Sequence, residues 1–218
     1  MDLSIIPGAI FLVILVLSSS PAQNKNPHEI TNPSIKQRQV VHNVETVHED
    51  EANLDYQTIL SYIKQKYKSI SDEDANTISK HLVAYGQKNK LDPKFAAALM
   101  ARESAFNKKA VSSTGAKGLG QIKNFNYKSL KIKDPFDIKE NVSGTVSYLK
   151  RMLSKWKGNS TKTELALASY YKGYTAVKKD DCKMDGKTKG YVNDILNNYQ
   201  FLKNLRKKVE QRKPFRGR

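Results

Sequence analysis

Apolar side chains recur every three to four residues in each long segment of the chain between Tyr56 and Leu202. This spacing places them on one face of an α-helix, whereas a β-strand would alternate them with polar residues. No segment shows that alternation, and no segment repeats another. The sequence therefore predicts a single, mostly α-helical domain over residues 56–202, which is long enough to bury a core of its own.

Residues that favour helix starts mark several boundaries in this domain. Asp92 and Pro93 predict one start, because aspartate accepts a first-turn hydrogen bond and proline has no N–H to leave unpaired there. Ser71 is predicted to be the N-cap of the preceding helix, with Asp74 three residues later. The pair Asp134-Pro135 predicts the start of a long amphipathic helix, with Asp134 as its cap.

Glu103 lies on the apolar face of the helix that begins after Asp92. Phe95, Leu99 and Glu103 are spaced at i, i+4 and i+8 and so form one stripe. A carboxyl group on a buried stripe must be paired, hydrogen-bonded or neutral. Burial raises its pKa, as a general acid working near neutral pH requires. The alternative is a glutamate at the rim of the core that reaches solvent or caps a neighbouring loop.

Two segments of different composition precede the domain. Residues 1–22 contain an apolar run, Leu3 to Leu17, followed by small residues, which predicts a secretory signal cleaved after Ala22. No Lys or Arg precedes the run, so an uncleaved N-terminal anchor is the alternative. Residues 23–55 are polar and are predicted to be a flexible linker. The prediction for localisation is therefore export to the periplasm or cell envelope.

A basic C-terminal tail, residues 203–218, follows the domain and contributes to a net charge of +17. One interpretation is a solvated helix end; the other is adhesion to an anionic wall or membrane surface. No nucleic acid is expected as a partner, because no basic-aromatic binding motif is present and export argues against it. Cys182 is the only cysteine, so no disulfide within the chain can form.

The loop that follows Glu103 is rich in glycine. Gly115, Gly118 and Gly120 fall within six positions, which predicts sharp turns and close approach of another group to the backbone. Such a loop after a partly buried acid suits a groove for a polymer. A plain connection between two helices is the alternative.

Four motifs, in order, resemble those of the soluble lytic transglycosylase (SLT) domain family, which has a lysozyme-like fold. They are ARESAFNKKAVSSTGAKGLGQI, DPFDIKENVSGTVSYL, LALASYYKGYTAV and TKGYV. Together they extend from about Leu91 to Leu196. The resemblance implies a lysozyme-like helical domain that binds the glycan strands of peptidoglycan and cleaves the β-1,4 bond between N-acetylmuramic acid and N-acetylglucosamine. It implies no metal or cofactor, and a monomer is assumed.

The same resemblance implies roles for individual residues. Glu103 matches the single catalytic acid of the family. The residues expected to bind substrate or line its site are Ser104, Ser112, Gly118, Gln121, Tyr170 and Tyr191. Ser104 is also expected to fix the end of the Glu103 helix. For Tyr170 and Tyr191 the alternative is ordinary core packing, with each hydroxyl satisfied locally.

The sequence departs from the family pattern at two places. Gly120 stands where the family often has Met, which predicts that an apolar wall of the groove is trimmed. In the third motif Tyr171, Lys172, Tyr174 and Thr175 replace Asn, Ala, Pro and Gly. The extra tyrosines either stack on sugar rings or narrow the groove.

The implied reaction uses one carboxyl group, whereas most glycosidases use two. Glu103 would act first as an acid and then as a base, closing a 1,6-anhydro ring on muramic acid. One alternative is a lysozyme-type muramidase, which is a hydrolase. The other is a non-catalytic, peptidoglycan-binding component of a secretion or conjugation apparatus.

Overall fold

The computed structural model describes residues 34–212, with side chains from residue 49 onward, and most of this range is helical. The helices are α1 Ser34–Lys66, α2 Asp72–Asn89, α3 Pro93–Ser104, α4 Tyr127–Leu130, α5 Ile138–Lys155, α6 Lys162–Lys172, α7 Tyr174–Lys179 and α8 Gly186–Gln211. The prediction of a mostly α-helical fold is confirmed. Within the described helices, none has the length and apolarity needed to cross a bilayer.

The chain divides into two compact units, residues 1–40 and residues 41–218. In the first unit only the helical backbone of residues 34–40 is described, and the predicted signal, residues 1–22, lies outside the described residues. The second unit contains the helical domain and all of the motifs.

Helix α3 lies at the centre of the domain, where it packs against α2, α5 and α8. All of its residues from Pro93 to Ala101 are buried. The small side chains of the buried alanines at positions 96–98 allow the neighbouring helices to pack closely against α3. The packing holds the C-terminal end of α3, which carries Glu103, in a fixed place.

Two of the three predicted helix starts are confirmed. Asp92 accepts a hydrogen bond from the Lys94 N–H at 2.9 Å, and Ser71 accepts one from the Asp74 N–H at 3.1 Å. The third was placed one turn too early, because α5 is capped by Asp137 and not by Asp134.

Asp134 belongs to a separate turn that precedes α5. Asp134 accepts from the Phe136 N–H at 2.8 Å, which makes a tight turn around Pro135. The Glu140 carboxylate then accepts from the N–H groups of Lys133 and Asp134. A complete turn is therefore formed before the helix begins.

Helix α1 begins inside the segment predicted to be a flexible linker, residues 23–55. The backbone is helical from Ser34, and Leu54 is buried in the domain core. Asp55 accepts from the Lys94 ammonium at 2.6 Å and from Arg206 Nε at 3.0 Å. The boundary at Asp55 is thus corrected, because a buried Lys94 on α3 needs this carboxylate as its partner.

The C-terminal boundary also moves. Helix α8 continues to Gln211, and Leu205 packs against the core, so the predicted tail is part of the domain over most of its length. Arg206 pairs with Glu51 as well as with Asp55. Lys207 and Lys208 are exposed on the same turn, and residues 213–218 lie outside the described range.

Candidate active site

Glu103 occupies the last turn of α3, at a point where the helix is tied to the glycine-rich loop. The backbone turns left-handed at Ala105 and Phe106, with φ of 51° and 61°. The Ser104 hydroxyl donates to the Leu119 carbonyl at 2.8 Å. Ser104 therefore fixes the helix end, as expected; it is not among the residues that line the groove described next, and its role in substrate binding stays a prediction.

Glu103 lines a groove of about 560 Å³. Its walls are formed by the loop after α3, the turn before α4, helix α5, the end of α6 and the start of α8. Of the predicted site residues, Ser112, Gln121 and Tyr170 line the same groove. The fold thus brings together residues that lie up to 67 positions apart in the sequence.

Burial raises the pKa of the Glu103 carboxyl group to about 7. A hydrogen bond donated by the Tyr191 hydroxyl to Glu103 Oε1 and the positive charge of Arg102 both act in the opposite direction. Close to neutral pH, a substantial fraction of Glu103 is therefore protonated and can donate a proton to a bound ligand.

Tyr191 and Tyr170 hold different parts of the site. Tyr191 projects from α8, is buried, and contacts the Glu103 carboxyl group directly. Tyr170 is also buried, but its hydroxyl donates to the Gly120 carbonyl at 2.7 Å. Burial raises the pKa of both hydroxyl groups well above the ordinary value for tyrosine, so both remain protonated. Tyr191 positions the acid, and Tyr170 positions the loop beside it.

Ser112 and Gln121 shape the loop from its two ends. The Ser112 hydroxyl accepts from the Ala116 N–H at 3.0 Å. The Gln121 amide donates to the carbonyls of Gly118 and Ala110, at 3.0 and 3.2 Å, and its own backbone is left-handed with φ of 50°. Each side chain therefore fixes the loop while still lining the groove.

Gly118 and Gly120 face α5, and the expectation about Gly120 is corrected. A Cβ at Gly118 would lie 2.2 Å from Asn141 Nδ2, and a Cβ at Gly120 would lie 1.9 Å from Thr145 Oγ1. Neither glycine lines the groove. Substrate binding by Gly118 stays a prediction, whereas the absence of a side chain at Gly120 makes room for Thr145 instead of trimming a wall.

Asn141 is a structural residue that the sequence analysis missed. It is buried on α5, accepts from the Gly120 N–H at 2.9 Å, and donates to the carbonyls of Lys117 and Pro135. In the sequence, the only indication of this role is that a polar residue lies beside the apolar stripe of a predicted helix. Through these contacts α5 holds the loop that carries Ser112 and Gln121.

The altered third motif places its two extra tyrosines differently. The Tyr171 ring stacks on Tyr191, with ring centres 4.6 Å apart and an angle of 20° between the planes, and Tyr171 lines the groove. Tyr174 packs against Trp156 instead, with ring centres 5.2 Å apart, and does not line the groove. Only Tyr171 can therefore meet a ligand there.

A second carboxyl group, that of Asp185, lies among the described residues that line the groove. It caps α8 by accepting from the Thr188 N–H at 2.7 Å, and it pairs with Lys172 at 3.3 Å. These hydrogen bonds, above all that from the Thr188 backbone, lower its pKa to about 2. Asp185 is thus ionised at neutral pH, whereas a substantial fraction of Glu103 is protonated there.

Comparisons with known families and structures identify the proteins to which this chain is similar. The model of the transglycosylase SLT domain matches residues 81–192. The fold is similar to that of an inactive mutant of the lytic transglycosylase Slt from Pseudomonas aeruginosa, with a TM-score of 0.51 and 21% identity over 78% of this chain and 34% of that one. The 70 kDa soluble lytic transglycosylase from Escherichia coli matches with a TM-score of 0.48 and 20% identity, over 60% of this chain and 26% of that one. This chain therefore spans about a third or less of the length of either structure.

Proposed function

This chain belongs to the transglycosylase SLT domain family, and we propose that it is a peptidoglycan lytic transglycosylase with Glu103 as its one catalytic acid and base. The observation that carries the proposal is the Glu103 carboxyl group, which has a pKa of about 7 and lines a groove of about 560 Å³. The proposed substrate is the β-1,4 bond between N-acetylmuramic acid and N-acetylglucosamine.

The proposed reaction uses the two protonation states of Glu103 in turn. Protonated Glu103 donates its proton to the glycosidic oxygen as the bond to that oxygen breaks, and the substrate's own N-acetyl group stabilises the positive charge that develops on the sugar. The Glu103 carboxylate then removes the proton of the muramic 6-hydroxyl, whose oxygen bonds to the anomeric carbon. The glutamate ends protonated again, and no water is consumed. Tyr191 holds Oε1 throughout, which fixes the direction of both proton transfers.

The state of Asp185 favours this scheme over hydrolysis with two carboxyl groups. A hydrolase needs a second carboxylate that is free to attack the sugar or to activate water. Asp185 lines the groove but is occupied by the end of α8 and by Lys172. The muramidase therefore remains the second candidate, with Asp185 as the residue that it would use.

The products of wall digestion test the proposal. We expect purified sacculi treated with the protein to release muropeptides that end in 1,6-anhydro-muramic acid. Mass spectrometry identifies these fragments, since each is one water lighter than the corresponding hydrolysis product. Fragments with reducing ends alone would assign a muramidase. Binding of sacculi without any release of fragments would assign the non-catalytic wall-binding component.

The rate of cleavage is expected to depend on pH through Glu103. Its proton is needed to begin the reaction, so activity should fall as the pH rises through about 7. The Tyr191 hydroxyl stabilises the carboxylate, so Tyr191→Phe should raise the pKa of Glu103 and move the alkaline limb to higher pH. The measurement is the initial rate of turbidity loss of sacculi between pH 5 and 9, a range chosen to span about two units on either side of that pKa.

Tyr199→Phe is the matched control for this experiment. Tyr199 also lies on α8, but its hydroxyl donates to Asp92, at 2.8 Å, instead of to Glu103. The control should leave the alkaline limb where it is in the wild type. Equal profiles for wild type and Tyr191→Phe would contradict the role given to the Tyr191 hydroxyl.

The proposed substrate lies outside the cytoplasm, so we also propose that the protein is exported. The apolar segment Leu3 to Leu17 would direct export, and cleavage after Ala22 would give a mature chain that begins at Gln23. N-terminal sequencing of protein from its native host is expected to find that start. An intact Met1 on protein from the cytoplasm would contradict the proposal.

A further inference from the structure

Exposed aromatic side chains are uncommon in this domain, and two of them line the same groove. Among residues with described side chains, the exposed large hydrophobic ones are Val111, Phe125, Tyr171 and Phe201. Phe125 and Tyr171 line the groove that holds Glu103. Single exposed apolar residues need no explanation, but aromatic rings that share one groove indicate a binding surface.

The Tyr171 ring is held in place by stacking on Tyr191 and by the ion pairs of the next residue, Lys172. One face stacks on the buried Tyr191 ring, which contacts Glu103, and Arg102 lies 5.5 Å from the centre of that second ring. The next residue, Lys172, pairs with Asp180 at 3.0 Å and with Asp185 at 3.3 Å. These contacts fix the segment, while half of the Tyr171 surface, 50%, stays accessible.

A fixed flat ring beside polar groups suits a pyranose sugar. Such a sugar has an apolar face made of C–H groups and a polar edge of hydroxyl and amide groups. Tyr171 provides a surface for the apolar face, and Asn126 and Lys187, which line the same groove, provide polar groups for the edge. A ring that is already held in place loses little conformational entropy when a ligand binds to it.

We propose that Tyr171 is a sugar-binding platform, on which one N-acetylated pyranose ring of the glycan strand stacks beside Glu103. The proposal rests on the proposed function and adds a specificity residue to it. It answers the alternative left open by the sequence, since Tyr171 lines the groove with half of its surface accessible, whereas Tyr174 packs against Trp156 and does not line the groove.

Binding of a soluble sugar tests the platform without requiring cleavage. The probe is the linear tetramer of N-acetylglucosamine, titrated calorimetrically into the full-length Glu103→Gln protein. Adding Tyr171→Leu is expected to weaken binding about tenfold, the effect typical of truncating an aromatic residue at the centre of a binding site. Tyr171→Phe and Tyr171→Trp keep a flat ring and should bind within about twofold of the parent.

Phe201→Ala is the matched control, because it removes an exposed aromatic ring that does not line the groove. Its affinity for the tetramer should equal that of the parent. Equal affinity for Tyr171→Leu and the parent would overturn the platform. An equal loss of affinity in Tyr171→Phe, Tyr171→Trp and Tyr171→Leu would also overturn it, because the ring face would then not be what binds.

Kinetics on sacculi separate a platform from a positioning role. In an active protein, Tyr171→Leu should raise KM with little change in kcat. A fall in kcat with KM unchanged, together with a shifted pH profile, would assign Tyr171 to holding Tyr191 and would overturn the platform. If the wild type neither cleaves sacculi nor binds the tetramer, the proposed function itself fails; if it does both and Tyr171→Leu behaves like the wild type, only the platform fails.

Discussion

Glu103→Gln is expected to slow the release of anhydro-muropeptides by about a hundred- to ten-thousand-fold, the range typical of losing a positioned acid or base. The upper end is expected, because one residue supplies the proton in the first step and removes one in the second. Glutamine keeps the shape of the side chain and can still accept the Tyr191 hydrogen bond. The fold and the affinity for glycan should therefore be retained while turnover is lost. The measurement is the rate of fragment release, with circular dichroism and sedimentation with sacculi as tests of fold and binding.

Two further substitutions make this result specific. Glu73→Gln changes an exposed glutamate in the first turn of α2 and should leave the rate unchanged. Asp185→Asn removes the other carboxyl group of the groove but keeps a residue that caps helices well. A loss with Asp185→Asn as large as that with Glu103→Gln would indicate a two-carboxylate hydrolase. Undiminished cleavage by Glu103→Gln would show that Glu103 is not the catalytic acid.

The helix that carries the acid could be predicted because its signals are local. Asp92 and Pro93 mark its start, and the stripe of Phe95, Leu99 and Glu103 depends only on a repeat of 3.6 residues. The elevated pKa of Glu103 follows from that stripe, since burial is its main cause. A stretch of about a dozen residues therefore contains enough information to predict both the helix and the raised pKa of its glutamate.

The errors arose where a residue's role depends on a distant partner. The cap of α5 is an exception, because Glu140, three residues after Asp137, is a local signal that favours Asp137 as the N-cap. Asp55 ends a polar stretch in the sequence, yet it neutralises a buried lysine 39 positions later. Periodicity and capping rules do not take contacts between residues so far apart in the sequence into account.

Site geometry shows the same limit. The family pattern marked Gly118, but only the folded chain shows that its lack of a side chain makes room for Asn141. The pattern also marked Tyr171 as a departure, but only the folded chain places its ring on Tyr191. A motif identifies which positions are constrained, whereas the reason for each constraint appears only when the neighbouring helices are in place.

Gly120→Ala is expected to lower the free energy of unfolding by about 2–3 kcal/mol, toward the upper part of the range for overpacked cores. The new methyl group would lie 1.9 Å from Thr145 Oγ1 and 2.8 Å from Thr145 Cβ, and both residues are buried. The loop and α5 would have to separate, which would strain the hydrogen bonds of Gly120 with Asn141 and Tyr170. For a domain of this size the melting temperature should fall by roughly 4–12 °C. Urea unfolding gives the free energy, and calorimetry gives the temperature.

The reason for this loss can be isolated by relieving the clash from the other side. Thr145→Ala removes the oxygen and the methyl group nearest to Gly120, so the double variant should be more stable than the sum of the two single effects predicts. Gly190→Ala is the matched control, since an added Cβ at this helical glycine would have no atom within 4 Å beyond its own stretch of helix. There the same change should stabilise the protein by about 0.5–1 kcal/mol through helix propensity. If the changes in unfolding free energy of Gly120→Ala and Thr145→Ala are strictly additive, the direct clash is contradicted. If Gly120→Ala has no larger effect than Gly190→Ala, α5 can move away from the added methyl group without cost. If both expectations hold, the glycine is required because it lets α5 lie against the loop that forms the wall beside Glu103.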